Sequence, residues 1–324
     1  MSRHSIPLSP EVWAEARRRV SAHAYHTPMV TSRLLSQETG YDVRLKAEMF
    51  QRTGSYKIRG PLNKFGELSA EERQRGVICS SAGNHAQGVA LAAKIHGIRA
   101  VVCMATNATP SKVAATRAYG AEVVLHGSIW DEANERAKEL VAECGYTYVH
   151  PFDDLDLIAG QGTLGHEIMD DVPDVDVIVV PIGGGGLISG VSMATKSRKP
   201  GVRVIGVESS GAPGMYESVK ASHVVTLPTV DCIIDGLRVK RVGEKTFEVV
   251  RRFVDDIVTL PDEEIWDSVR WIMGHCKLVV EGAAAAAVAA LRKGLITAPK
   301  GAKVVCVLSG GNVNLDPLNG ATFN

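Results

Sequence analysis

The stretch Val177-Ile178-Val179-Val180-Pro181-Ile182-Gly183-Gly184-Gly185-Gly186-Leu187-Ile188-Ser189-Gly190 decides the fold. A β-branched run, a proline and four glycines read as a strand, a tight loop and the start of a helix that continues to about Lys196. The surrounding segment, Val177 to Ala194, is the most apolar of the chain, yet Pro181 and the glycines break it too early for a membrane span. Turn geometry needs one or two glycines, and each further one costs about 1 kcal/mol of chain entropy. A ligand's phosphate lying close against bare backbone is therefore the expected reason for all four.

The same alternation extends outward in both directions. Three apolar runs begin at Val77, Arg99 and Ala121, spaced by 22 residues, with helical segments at Asn84 to His96 and Pro110 to Tyr119 between them. This is a βαβαβ unit. A second series holds strands at Val175 to Pro181, Val202 to Glu208 and Lys303 to Leu308. Ser9 and Pro10 open a helix to about Val20, a strand follows at Val43 to Met49, and Glu281 to Leu291 is an alanine-rich helix suited to close packing. The expected fold is α/β: two open, mostly parallel twisted sheets flanked by helices. The smaller domain is placed at residues 53–149, and the larger at 1–52 and 150–324.

Composition narrows the function classes. The chain has 324 residues, 45 % hydrophobic and 22 % charged, as in ordinary globular proteins. Lys plus Arg equals Asp plus Glu at 36 each, so no overall field attracts a phosphate backbone or an anionic membrane, and neither partner is expected. The first residues lack an apolar run before their charges, which predicts neither a secretory signal nor an anchor. Six cysteines stand singly without a CxxC pair, and Cys79, Cys103 and Cys306 lie in strand-like runs as small buried hydrophobes. The expected compartment is the cytoplasm.

Four places carry chemistry. In Ser55-Tyr56-Lys57-Ile58-Arg59-Gly60, Lys57 stands at a helix start with Arg59 two residues on, a positive setting that disfavours its charged form; the plain alternative is a solvated lysine. Ser80-Ser81-Ala82-Gly83-Asn84-His85 follows a strand and opens a helix, either as an anion site or as ordinary capping by Ser81 or Asn84. Gly183 to Gly186 is the third. A dinucleotide site competes there, with Glu208 as its ribose-binding acid, but G-x-G-x-x-G lacks its third glycine because Ile188 or Ser189 stands in its place; no P-loop Gly-Lys-Ser/Thr follows. Ser309-Gly310-Gly311-Asn312 comes directly after the last strand. Ligands of parallel sheets bind beyond the strands' carboxyl ends, so one shared cleft is expected, with an amine, two anion cradles and a hydroxyl suited to a phosphorylated aldehyde cofactor carrying an amino acid.

The four signatures SYKIRG, SSAGNHAQG, GGGGL and SGGN, in this order and spacing, resemble the pyridoxal-phosphate enzymes of the tryptophan-synthase β fold (fold type II), in the threonine/serine dehydratase and serine racemase group. The resemblance runs from about Thr27 to Asn312. It implies pyridoxal 5'-phosphate as cofactor and Lys57 as its Schiff-base lysine. It further implies Asn84 as partner of the 3'-hydroxyl, Gly183, Gly184, Gly185, Gly186 and Leu187 as the phosphate cradle, and Ser309 facing the pyridine nitrogen. Ser81, Asn84 and His85 fall in the loop holding the substrate carboxylate. Tyr56 stands where phenylalanine is usual. Ala82 replaces the serine that works on the second face in racemases, and Gly214 lacks the carboxylate of a racemase-like cation site at Glu208 and Ala212; neither racemisation nor a metal is expected.

The implied activity is a lyase that converts L-threonine to 2-oxobutyrate and ammonia, and L-serine to pyruvate. The chain ends about a dozen residues after SGGN, as in the short catabolic type without a regulatory domain. Alternatives are a dehydratase for 3-hydroxyaspartate or a phenylserine, a serine racemase, or a non-catalytic amino-acid or nucleotide binder. A homodimer or homotetramer is the default assembly.

Overall fold

The computed structural model describes residues 4–313. Among the described residues, ten strands form two sheets. In chain order they are β1 (Met29–Thr31), β2 (Asp42–Ala47), β3 (Val77–Ser80), β4 (Ala100–Met104), β5 (Glu122–Leu125), β6 (Thr147–Tyr148), β7 (Val177–Pro181), β8 (Arg203–Ser209), β9 (Asp256–Leu260) and β10 (Lys303–Leu308). The larger sheet has the order β1-β2-β10-β7-β8-β9, and the smaller β5-β4-β3-β6. Every pairing is parallel except β1 with β2, so the expected architecture of two mainly parallel sheets holds.

The sequence logic of the elements is visible in their ends. Ser9 caps the helix Pro10–Ser21 by accepting the Val12 N–H, and proline occupies its first turn. The helices Asn84–His96 and Pro110–Ala118 fall between β3, β4 and β5 as crossovers. The alanine-rich helix Gly282–Arg292 is buried along its whole length against β10, β7 and β8, where larger side chains would hold it off the sheet.

Predicted strand boundaries move by one or two residues, β7 starting at Val177 rather than Val175 and β8 running from Arg203 to Ser209. The strand expected to reach Met49 ends at Ala47, the last residue paired with β10, and Glu48–Phe50 forms a 3-10 turn. The Glu48 carboxylate turns inward there to meet the Arg59 guanidinium, with both side chains fully buried. The helix Leu155–Asp171 has no counterpart in the sequence reading, because it is buried almost all round and shows no polar face to give a period. It crosses the helix Gly186–Arg198 at bare backbone: a Cβ on Gly190 would lie 2.5 Å from the Gly162 nitrogen.

Candidate active site

The loops after β3, β7 and β10 meet in one pocket. Lys57, Asn84, Gly183 to Gly186, Leu187 and Ser309 all line it, joined by Tyr56, Phe152, Gly236, Leu237 and Glu281. Eight of the ten residues singled out from the sequence are thus brought together. Ser81 and His85 are not among the lining residues.

Lys57 lies in the 3-10 turn Tyr56–Ile58, held between two elements. On one side the Tyr56 N–H donates to the Ser309 carbonyl (3.1 Å), Ser55 bridges to Gly310, and the Gly311 N–H donates to the Gly54 carbonyl (2.9 Å). On the other side Gly88 presses the Asn84–His96 helix against the lysine's own backbone, where a Cβ would come within 2.7 Å of the Lys57 carbonyl oxygen. The lysine's Nζ donates to the Pro151 carbonyl at 3.1 Å. The protein packed round the ammonium lowers its pKa from 10.5 to about 8, while the Glu281 carboxylate pulls the other way. Arg59 has no part in this shift, contrary to the sequence expectation. Its guanidinium is spent on Glu48 (2.8 Å) and Glu167 (2.6 Å) in a buried cluster.

The glycine loop joins β7 to the helix Gly186–Arg198, whose N-terminus carries no side-chain cap. The reason for four glycines differs from the expected one. A Cβ on Gly184 or Gly186 would collide with Phe152, one on Gly183 with the Gly236 carbonyl oxygen, and one on Gly185 with Met215 and Thr246. Protein atoms, rather than a ligand, occupy those directions. Gly185 also has φ of +93°, which favours glycine. The N–H groups of the loop and helix start remain available to an anion.

At the opposite wall the Asn84–His96 helix likewise starts without a side-chain cap, so the capping alternative fails. Ser81 Oγ accepts the Gly83 N–H at 3.2 Å. Asn84 Nδ2 donates to both Glu281 carboxylate oxygens, at 2.8 and 3.0 Å, and Asn84 Oδ1 accepts from Asn312 Nδ2 at 2.9 Å. His85 is buried with Nε2 at 3.0 Å from the Val149 carbonyl; burial, with the Lys57 charge adding to it, pushes its pKa down to about 3 and keeps the ring neutral. Burial raises the Glu281 pKa against the Asn84 hydrogen bonds and the Lys57 charge.

Sequence reasoning missed Phe152, Thr246 and Gly236, which no motif marks, and gave Glu281 no role beyond opening an alanine-rich helix. Glu208 lies outside the pocket, where its carboxylate accepts the Met215 and Tyr216 N–H groups at 2.8 Å each. Burial pushes its pKa up to about 8 against those two bonds.

The family described as "Pyridoxal-phosphate dependent enzyme" matches residues 20–310. The chain belongs to this family. Among relatives of this pyridoxal-phosphate enzyme, the "L-threonine ammonia-lyase" of Thermotoga maritima is 48 % identical over 305 residues, 94 % of this chain and 76 % of that one. The "L-threonine dehydratase catabolic TdcB" of Escherichia coli (strain K12) is 43 % identical over 320 residues, 98 % of this chain and 97 % of that one. Among solved structures, maize serine racemase superposes with a TM-score of 0.91 at 35 % identity, covering 95 % of this chain and 94 % of that one. The cofactor is pyridoxal phosphate. The residues present fit it, since an amine of lowered pKa, an uncapped helix N-terminus and a buried serine share one pocket.

Proposed function

We propose that the chain is an ammonia-lyase of β-hydroxy amino acids that converts L-threonine to 2-oxobutyrate and ammonia, and L-serine to pyruvate and ammonia. The observation that carries this reading is Lys57, a lysine of lowered pKa facing the glycine loop and Ser309. The names of relatives at 43 and 48 % identity support the choice of threonine.

Pyridoxal phosphate supplies the electron sink that lets the Cα–H and Cβ–O bonds of an attached amino acid break. The chain's own residues do the rest. Lys57 would anchor the aldehyde and, as a free amine, would take the Cα proton. Gly183 to Leu187 hold the phosphate on backbone N–H groups, and Asn84 meets the 3'-hydroxyl. Ser81 contributes its hydroxyl proton to the substrate carboxylate, because its oxygen already accepts from Gly83. His85 contributes through backbone, since its ring is buried outside the pocket lining with Nε2 at the Val149 carbonyl. Ser309 offers the ring nitrogen a neutral hydroxyl, which does not hold it protonated as a carboxylate would; this favours loss of the β-hydroxyl over transamination.

Ala82 supplies no proton carrier to the face opposite Lys57, which supports the lyase reading over a racemase. We read the smaller sheet with residues 53–149 as one domain and the larger sheet with the flanking segments as the other. We also place the enzyme in the cytoplasm as a homodimer or homotetramer; its six free cysteines support a reducing compartment. Among the described residues no helix is long and apolar enough to cross a membrane.

A panel of β-hydroxy amino acids scored for 2-oxo acid release tests the proposal. Threonine and serine are expected to react, with D-serine far below pyruvate on chiral chromatography. Absence of any 2-oxo acid would sink the lyase reading, and D-serine formed as fast as pyruvate would turn it into a racemase.

A further inference from the structure

Thr246 lies outside every motif of the sequence, at the start of the helix Glu244–Phe253, and is fully buried. Its hydroxyl reaches the glycine loop: Oγ1 donates to the Gly184 carbonyl at 2.8 Å, while the Gly243 N–H donates to Oγ1 at 3.1 Å. The hydroxyl's single proton goes to the nearer carbonyl, because that of Gly243 is 3.1 Å away. The threonine is itself fixed, since Asp153 Oδ1 accepts the backbone N–H groups of Lys245 and Thr246 at 2.8 and 3.1 Å.

The Gly184–Gly185 peptide is trans, as the one cis bond recorded is Ile6–Pro7. A trans peptide points its carbonyl and its N–H in opposite directions. With the Gly184 carbonyl held toward Thr246, the Gly185 N–H is turned away from Thr246, and Gly185 itself lines the pocket. Without a Cβ, glycine leaves this peptide free to flip, so the orientation needs an external hold. We propose that Thr246 is a positioning residue of the anion cradle, aiming the Gly185 N–H at the cofactor's phosphate through the Gly184 carbonyl. The proposal rests on the cradle assignment made above.

The test compares two aldehydes that differ only in the phosphate. The full chain, freed of cofactor, is titrated with pyridoxal phosphate and with pyridoxal, for the unmodified protein, Thr246→Val and Thr246→Ser. Valine keeps the shape and removes the hydroxyl. It is expected to weaken pyridoxal phosphate by about tenfold, the scale of one charge-assisted hydrogen bond, and to leave pyridoxal unchanged. Serine keeps the hydroxyl and is expected to retain the phosphate preference within about threefold. Should valine not fold by circular dichroism, Thr246→Ala reads the same difference. Equal weakening of both aldehydes, or a preserved preference without the hydroxyl, overturns the proposal. An unmodified chain without preference for the phosphorylated aldehyde overturns the cradle assignment itself, before any variant is compared.

Discussion

Lys57 derives its reactivity from being surrounded by protein more than from any neighbouring charge. With its pKa near 8, the neutral fraction of the amine falls about tenfold per pH unit below that value and saturates above it. Capture of pyridoxal phosphate by the cofactor-free chain is therefore expected to accelerate up to about pH 8 and then level off, measured by stopped-flow absorbance. A rate still rising steeply at pH 10 would mean an ordinary lysine. Lys57→Ala is expected to lose the visible absorbance of the bound cofactor and nearly all turnover, with an unchanged circular dichroism spectrum. Asn84, the glycines and Ser309 were legible in the sequence because each lies in a loop that follows a strand, and Lys57 because it stands at the start of a helical turn. The cause of the lysine's shift was not. Arg59 is adjacent in sequence, but its guanidinium points into a buried acidic cluster, and direction is set by packing that spacing does not encode. Phe152, Gly236 and Thr246 reach the glycine loop only through tertiary contact and leave no local signal.

At the scale of elements, the Asn84–His96 helix and the Tyr56–Ile58 turn are one device. Gly88 lets the helix lie directly on the lysine's backbone, and an added methyl would meet the Lys57 carbonyl and the Ile58 nitrogen, neither of which yields as a side chain tip would. Gly88→Ala is expected to cost about 1–3 kcal/mol in urea unfolding and to slow cofactor capture as the turn shifts. An alanine variant with unchanged stability and capture would show that the contact is slack. An element with a polar face and a serine cap, such as Pro10–Ser21, could be read from pattern. The helices Leu155–Asp171 and Gly186–Arg198 carry little periodicity, because glycines bring their backbones together and protein covers both. The second was found only through the glycine loop before it.

Across the whole molecule, a buried charge cluster ties β2 of the larger sheet to two helices. Lys46 lies in β2 and Glu48 just after it, Arg59 starts the helix Arg59–Glu67, and Glu167 and Asp171 come from the helix Leu155–Asp171. Removing Glu48 leaves the buried Arg59 with Glu167 as its remaining carboxylate, so Glu48→Gln is expected to lower stability by about 1–3 kcal/mol, and the double variant Glu48→Met with Arg59→Met by clearly less. A double variant that loses the sum of the Glu48→Met and Arg59→Met single losses, by chemical unfolding, would show that the charges act independently. Burial raises the Glu167 pKa, yet Arg59 and Lys46 outweigh it and leave the carboxyl below its usual range. The unfolded chain thus binds the proton more readily, and this group's contribution is lost as the pH falls through its folded value. The larger sheet has one more property of note. Residues 303–308 form its last strand in sequence, yet β10 lies third across it, between β2 and β7. On a translating ribosome, β2 and β7 emerge long before the strand that joins them, so both wait with open edges while some 120 further residues are made, a delay of several seconds to tens of seconds at about 5–20 residues per second. The nascent protein must be shielded through that interval, and a transcript cut short before codon 303 yields a polypeptide that cannot close its sheet.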